Sequence, residues 1–520
     1  MTKHIEQTYQ VLDEIAHVRK RTGMYAGSTS HQTSIEWIFN ESTQKMEKRE
    51  ISYIPAFIKI FSEILDNAID EGKRAPDVLT TIKVEFKEDG YITVHDNGRG
   101  IPVQIHPQTG QYVAETIFSN LRAGSNFNDD EDQSLIGTNG VGSTITSILS
   151  SHFKVESCDG ENLLRFEFWD GLRTKSEPKV LPNALHFTRI TFRPDYDFFD
   201  LDGLDQDHTL KMVKKVIDAA ANNLGIRFYV NGQRLSIRTF ADYVAMYSDE
   251  YVVDITDDWQ VGVSSSEMYE HVSFVNSVET YQGGTHVDYV IIQITEKLRE
   301  FFRKKHKVEV KPGDIRAHMR LYISANINRP KFSSQTKENM ISPAGEWKTT
   351  WRVPDKLIKQ LTQSSIIQNV LDWIEAKQQA ELLAKLRKTG KETSKADPRR
   401  VDKFSDANEK KDRHLCECYL AEGDSARSSI QSARGKNPYI GSFSLRGKPL
   451  NVMDADLKQI LENNEIKSIL TITGLEIGKR VEVQDDGNWI MLEIDGEQVL
   501  VNENDIVFIN NNWVDVKSLL

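Results

Sequence analysis

Apolar positions along the chain switch repeatedly between the spacing of a helix and the alternation of a strand. In AFIKIFSEILDNAIDEG, Phe57, Phe61, Ile64, Leu65 and Ala68 recur at helical spacing and predict one buried stripe, while Glu63, Asn67 and Asp70 fall on another face. In ITVHDNGRGIP the period drops to two, so Ile92, Val94 and Asp96 share a strand face. FTRITF does the same with Thr188, Ile190 and Phe192. Between them, LRAGSNFNDDEDQSLIGTNGVGSTITSIL reads as a Gly-, Ser- and Asn-rich loop passing through Gly137, Gly140 and Gly142 into an apolar helix. This alternation predicts a layered α+β domain over residues 1–245. The strands HVSFVNSV and RLYISANI and the amphipathic HVDYVIIQITEKLREFFRKK predict a second α/β unit at 246–387. Apolar periodicity is lost after Leu386, which predicts a linker at 388–412. A third unit, 413–478, opens on HLCECYLAEGDSA and continues through a helical ADLKQILENNEIKSIL into a strand-like LTITGLEIG. The tail 479–520 reads as short strands with turns at Asp486-Gly487 and Asp495-Gly496.

Composition narrows the class. A chain of 520 residues is too long for one core and suggests about three or four domains. A mean hydropathy of -0.48, with no apolar run near the ~20 residues of a spanning helix, argues against an integral membrane protein. MTKHIEQTYQ has no signal-peptide core. Three cysteines, Cys158, Cys416 and Cys418, are too few for a disulfide framework and fit a reducing, cytoplasmic setting. Cys416-x-Cys418 has no second ligand pair at zinc spacing. The net charge of -12 argues against a uniformly nucleic-acid-coated surface.

The polar positions then acquire chemistry. A carboxylate one turn from an amide can activate water while the amide oxygen ligates a metal, as magnesium-assisted phosphate hydrolysis requires; a solvated polar face is the alternative. Asp96, pointing inward, needs a partner, and an adenine amino group would serve. Gly98 and Gly100 let the backbone approach a ligand. N–H groups at the start of the helix after the glycine loop can cradle phosphate, although no Walker A sequence occurs in the chain.

In order and spacing these pieces resemble the ATP site of the GHKL superfamily, shared by type II topoisomerases, Hsp90 chaperones, MutL repair proteins and histidine kinases. The resemblance implies a Bergerat-type α/β sandwich with Glu63 as general base and Asn67 as ligand of the ATP magnesium. Asp96 would be the adenine acceptor, with Thr188 at the same end, and Ser125 and Asn126 would be lid contacts. The phosphate loop would run through Gly137, Thr138, Asn139, Gly140, Val141, Gly142, Ser143 and Thr144. Phe187 departs from the glycine that many relatives place before that threonine. No dimerisation helix with a phospho-accepting histidine precedes the site, which disfavours a histidine kinase.

The second unit, through SFVNSVETYQGGTHVDYV and MRLYISANINRPKFSSQTKENM, resembles the transducer of type II DNA topoisomerases, a ribosomal-protein-S5-like fold, especially in the eukaryotic and T-even-phage branch. That implies Lys337 at the γ-phosphate and Gln335 placing the water, so that phosphate charge holds two domains together. Arg303, Lys304 and Lys305, in a basic cluster at a helix end, would face the transported DNA; offsetting the helix dipole is the structural alternative. CYLAEGDSARSSI and SLRGKPLN resemble the first half of a Toprim fold, implying Glu422 as ligand of a cleavage-site magnesium and Arg446 and Lys448 near the DNA backbone.

A complete Toprim site also needs an Asp-x-Asp pair, because one carboxylate cannot hold magnesium unaided. Asp454-Ala455-Asp456 reads as a helix cap, Asp195-Tyr196-Asp197 lies in the first domain, and Glu493-Ile494-Asp495-Gly496 reads as a hairpin turn. The resemblance ends near residue 478. It implies the ATPase-bearing large subunit of a split type II topoisomerase of the T-even-phage type, active in a host cytoplasm. ATP and Mg2+ would be its cofactors. Its partners would be double-stranded DNA, a second copy of itself, and subunits supplying the remaining Toprim carboxylates and the DNA-cleaving tyrosine. A GHKL clamp of MutL or Hsp90 type, or a regulatory ATPase without strand passage, is the competing class. The tail holds three basic and nine acidic residues, half of the net charge, which leaves 299–311 and 377–413 locally basic.

Overall fold

A computed structural model describes residues 11–124, 136, 140–334, 337–446, 450–451, 455 and 457–475, and in the tail 489–494, 497–502, 506–509 and 512–515. The chain divides into two compact units, Met1–Ile374 and Glu375–Leu520. Among the described residues no helix is long and apolar enough to cross a membrane.

The predicted helix is α1, Pro55–Arg74. Proline in the first turn costs it no hydrogen bond, and Lys73 and Arg74 face the negative end of its dipole. Its start is pinned from elsewhere: Ile54 N–H donates to His208 Nε2 at 2.9 Å, and Nδ1 of that ring donates to Asp205 at 2.7 Å. Phe57, Phe61, Ile64, Leu65 and Ala68 are all buried. At roughly 1.5–3 kcal/mol for each large apolar side chain, this stripe fixes which way the helix faces.

α1 lies in one core with α2 (Gly142–Ile148), α3 (Gln206–Asn222) and a nine-stranded mixed sheet. At the centre of that sheet β1 (Ile92–Asp96) is antiparallel to β2 (His186–Pro194), in register Ile92 to Phe192, Val94 to Ile190 and Asp96 to Thr188. Two apolar cross-strand pairs are thus followed, on the same face, by one polar pair at the strand end. The core closes over the first two and leaves the third for the site.

The same unit holds a five-stranded sheet in the order Tyr251–Ile255, Trp259–Ser265, Met319–Ala325, Glu270–Val275, Val278–Glu279. Glu270–Val275 and Met319–Ala325 pair in parallel, so a crossover must join them, and α4 (Thr285–Phe301) supplies it. HVSFVNSV, expected as one strand, turns at Asn276 and Ser277, both with positive φ, and returns as Val278–Glu279. The alternation of the sequence is the same on either side of the turn and does not show it.

In the second unit, Phe404–Ser405, Ile440–Ser444 and Glu417–Ala421 form a three-stranded sheet. The stretch expected as a linker, 388–412, therefore holds the end of a long helix, Ser365–Lys395, and an edge strand. Leu470–Thr473, expected as a strand, is the end of the helix Asn464–Thr473. The Asn463 side chain caps the start and left-handed Gly474 the end, while the Thr471 and Thr473 hydroxyls donate to the carbonyls of Lys467 and Ile469. Local capping thus overrides the strand preference of the β-branched residues. In the tail, Trp489–Ile494 pairs antiparallel with Glu497–Asn502; the predicted turn at Asp495-Gly496 lies outside the described residues.

A candidate nucleotide site and the turn at Glu422

Between α1, the ends of β1 and β2 and the start of α2 lies a cavity of about 760 Å³. Glu63, Asn67, Asp96, Gly100, Thr188 and Lys337 all line it, so residues dispersed over 275 positions of sequence meet in one place.

At one end, Glu63 forms an ion pair with Lys59 one turn earlier on α1. Burial works against the Lys59 ammonium, but Glu63 and Asp66 outweigh it and hold its pKa above the ordinary value. Burial raises Asp66 to about 6. Gly142 lies directly against the base candidate: a Cβ there would come 1.6 Å from Glu63 Oε2. Asn67 donates from Nδ2 to Ser143 Oγ at 2.9 Å, which ties α1 to the glycine loop and leaves the amide oxygen as the donor for a cation. Asp70, expected on a polar face, is fully buried and accepts from Ile136 N–H at 2.8 Å. Its spacing resembles that of its neighbours and does not show the bond from Ile136.

At the other end, Asp96 is 5% exposed, and Oδ1 accepts from Gly98 N–H at 2.8 Å. Burial raises its pKa to about 7, outweighing the backbone hydrogen bonds from Gly98 and Thr188. Gly100 has φ +78°, and a Cβ there would lie 1.9 Å from the Cys158 carbonyl oxygen, so this turn admits no other residue. A bidentate ion pair, Glu71 to Arg99 at 2.8 and 3.0 Å, braces the same turn from α1; no sequence periodicity indicated it.

Lys337 arrives from the five-stranded lobe. It is held with φ +59°, and Nζ donates to the Ile136 carbonyl oxygen at 2.5 Å. Burial, with Lys59 nearby, lowers its pKa, and the carboxylates of Asp66, Glu63 and Asp70 only partly oppose this. Gln335 lies outside the described residues, as do Ser125, Asn126, Gly137, Thr138 and Asn139; Gly140, Val141, Ser143 and Thr144 are at or near the α2 start.

In the second unit Glu422 is exposed on the turn between the strand Glu417–Ala421 and the helix Asp424–Arg434. Arg446 pairs with Asp402 at 3.1 Å, and Lys448 lies outside the described residues. Among the described residues no cluster of three or more His, Cys, Asp or Glu could hold a metal. Asp195 caps the helix Tyr196–Phe199 and pairs with Arg19, and Asp454 and Asp456 lie outside the described residues. Arg303, Lys304 and Lys305 are exposed beyond α4, with Lys304 bonded to Glu300 at 2.6 Å.

Comparison with known proteins fits this arrangement. Residues 54–179 match the family model for histidine kinase-, DNA gyrase B- and HSP90-like ATPases, and 225–389 match that for DNA gyrase B. The ATPase region of topoisomerase II from Saccharomyces cerevisiae superposes with a TM-score of 0.67 at 31% identity, covering 71% of this chain and 99% of that one. The chain belongs to the type II DNA topoisomerase family. The ATPase and transducer domains of DNA topoisomerase II from Balamuthia mandrillaris match equally well, at 34% identity and a TM-score of 0.67 over 72% of this chain and 99% of that one. The GHKL and transducer folds expected from sequence are therefore those observed.

Among curated family members, DNA topoisomerase 2 of Bombyx mori is 35% identical over 99% of this chain and 35% of its own length. DNA topoisomerase 2-alpha of Homo sapiens is 34% identical over 98% of this chain and 35% of its own. The chain thus spans about a third of the length of the curated relatives it matches. These alignments also take in most of the tail that motif reading left unassigned. Both relatives are eukaryotic, and neither points to a T-even-phage subunit in particular.

Proposed function

We propose that this chain carries the ATP-operated gate of a type II DNA topoisomerase. Adenine would be received by Asp96 and Thr188, and the phosphates by the loop ending at Gly142, Ser143 and Thr144. Glu63 would take the proton from the attacking water, and Lys337 and Gln335 would meet the terminal phosphate and that water. Where magnesium binds with the nucleotide, Asn67 would hold it, and the ion would neutralise phosphate charge. The observation that carries this reading is the convergence of Glu63, Asp96 and Lys337 on one cavity from three separate elements.

Because Lys337 comes from the other lobe, the charge of the terminal phosphate would bind the two lobes together, and hydrolysis would loosen them. In a pair of chains that cycle would close and reopen a gate around a DNA duplex, with Arg303, Lys304 and Lys305 contacting its phosphates. Glu422 would be one carboxylate of the cleavage site. Its companions and the attacking tyrosine would come from partner subunits in the arrangement that the phage-type resemblance implies. The test uses purified chain with magnesium, ATP and supercoiled DNA. ATP turnover stimulated by DNA, with the DNA neither cut nor relaxed, supports the reading; relaxation by this chain alone overturns the divided cleavage site, and absence of any ATP turnover overturns the gate.

A further inference from the structure

The segment carrying Lys337 leaves the strand Met319–Ala325 and passes through two left-handed residues, Arg329 at φ +50° and Lys337 at φ +59°. Residues other than glycine keep such conformations only where the surroundings impose them. Both ends of the segment are held by one short connector, residues 276–285. At the near end, buried Asn276 donates from Nδ2 to the Ile327 carbonyl oxygen at 2.9 Å and accepts Ile327 N–H on Oδ1 at 2.8 Å. At the far end, Gln282 donates from its backbone to the Glu338 carbonyl oxygen at 3.1 Å and from Nε2 to Glu338 Oε2 at 2.9 Å. Two residues on, Met340 N–H donates to the Gly283 carbonyl oxygen at 3.1 Å, and a Cβ on Gly284 would lie 2.3 Å from the Met340 carbonyl oxygen.

The connector is itself anchored to the nucleotide-binding lobe. The Asn276 carbonyl oxygen accepts from Lys73 Nζ, on the helix that carries Glu63 and Asn67, at 2.9 Å. Val278 lines the cavity, and Glu279 pairs with Lys215 at 3.2 Å and Lys214 at 3.5 Å on α3. These two lysines outweigh burial and hold the Glu279 carboxyl well below its usual range. Thr280, buried, donates its backbone N–H to the Ser273 carbonyl oxygen at 2.8 Å.

We infer that the 276–285 connector sets the position of Lys337 relative to α1, with Gln282 and Asn276 as positioning residues for ATP hydrolysis. The inference rests on the reading of Lys337 as the cation at the terminal phosphate. Misplacing such a group by about 1 Å can cost on the order of 100-fold in rate, so partial loosening acts on kcat and leaves ground-state nucleotide binding nearly intact.

The test measures steady-state ATPase and nucleotide-free melting of the full chain. Gln282 is exposed, so Gln282→Ala should fold normally; its kcat is expected to fall about five- to tenfold, with KM within about twofold. Gln282→Lys, which keeps a donor for Glu338, should stay within about twofold of the parent. Asn276→Asp keeps the residue shape and tolerates positive φ but loses the bond to the Ile327 carbonyl, and should lower kcat comparably. Adding Gln282→Ala to Lys337→Met should lower the rate no further. A multiplicative loss in that double variant, or unchanged kcat in both Gln282→Ala and Asn276→Asp, overturns the positioning role. Full turnover in Lys337→Met alone instead overturns the reading of Lys337 itself.

Discussion

The first unit brings Glu63, Asp96 and Lys337 to one cavity, each fixed by burial or by bonds to other elements. The second unit presents Glu422 exposed on a turn, with no acidic cluster around it among the described residues. Short motifs of similar clarity single out both places, so motif strength does not tell whether other elements return to them. What separates them is whether other elements return to the motif: strand register and a loop from the adjoining lobe do so in the first unit.

The largest break in that contrast comes from Glu63→Ala, which should lower ATP turnover by about 100- to 10,000-fold. Nucleotide-dependent pairing of chains should survive and be visible by sedimentation. Near-normal turnover would remove Glu63 as the base. Gly142→Ala should come next, because its Cβ would occupy the place of the Glu63 carboxylate. Turnover is expected to fall at least tenfold, with a loss of about 1–3 kcal/mol in chemical denaturation from the forced shift. Unaltered rate and stability would show that the loop can move aside freely.

Asp96 gives a smaller effect with a definite sign. Its pKa of about 7 in the empty pocket lies above the ~3.9 of an unfolded aspartate. The free protein therefore loses stability as pH rises from about 4 to about 7, since folding there must retain a proton that the unfolded chain has given up. Asp96→Asn should flatten that part of the profile of melting temperature against pH. Adenine nucleotide affinity of the parent should show the opposite trend and weaken as pH falls below about 7, because the proposed acceptor is the carboxylate; pH-independent affinity by calorimetry would exclude that role. The smallest effect sharpens the comparison from the other side: Glu422→Gln should leave ATPase within about twofold, and a larger fall would couple the two sites.

The parts legible in the sequence are those whose cause is local. The α1 stripe and the inward face of β1 follow from periodicity, and the register of Asp96 with Thr188 extends both patterns across strands. Contacts created by tertiary return were not legible. Asp70 shows no sign in its spacing of the bond from Ile136, and Glu71 none of its ion pair with Arg99. The turn at Asn276 was hidden because a polar residue with positive φ leaves strand alternation undisturbed on both sides. Leu470–Thr473 misled in the opposite direction, with strand-type residues kept helical between the Asn463 and Gly474 caps.

The contact between Gly142 and Glu63 has a mechanical meaning. The loop that would grip the nucleotide and the carboxylate that would act on it occupy adjoining space with no side chain between them. A displacement of a few tenths of an ångström in the loop is therefore felt directly by the carboxylate. Substrate seating and base alignment would then share one gauge, so a poorly seated nucleotide would also be one whose attacking water the carboxylate is poorly set to activate.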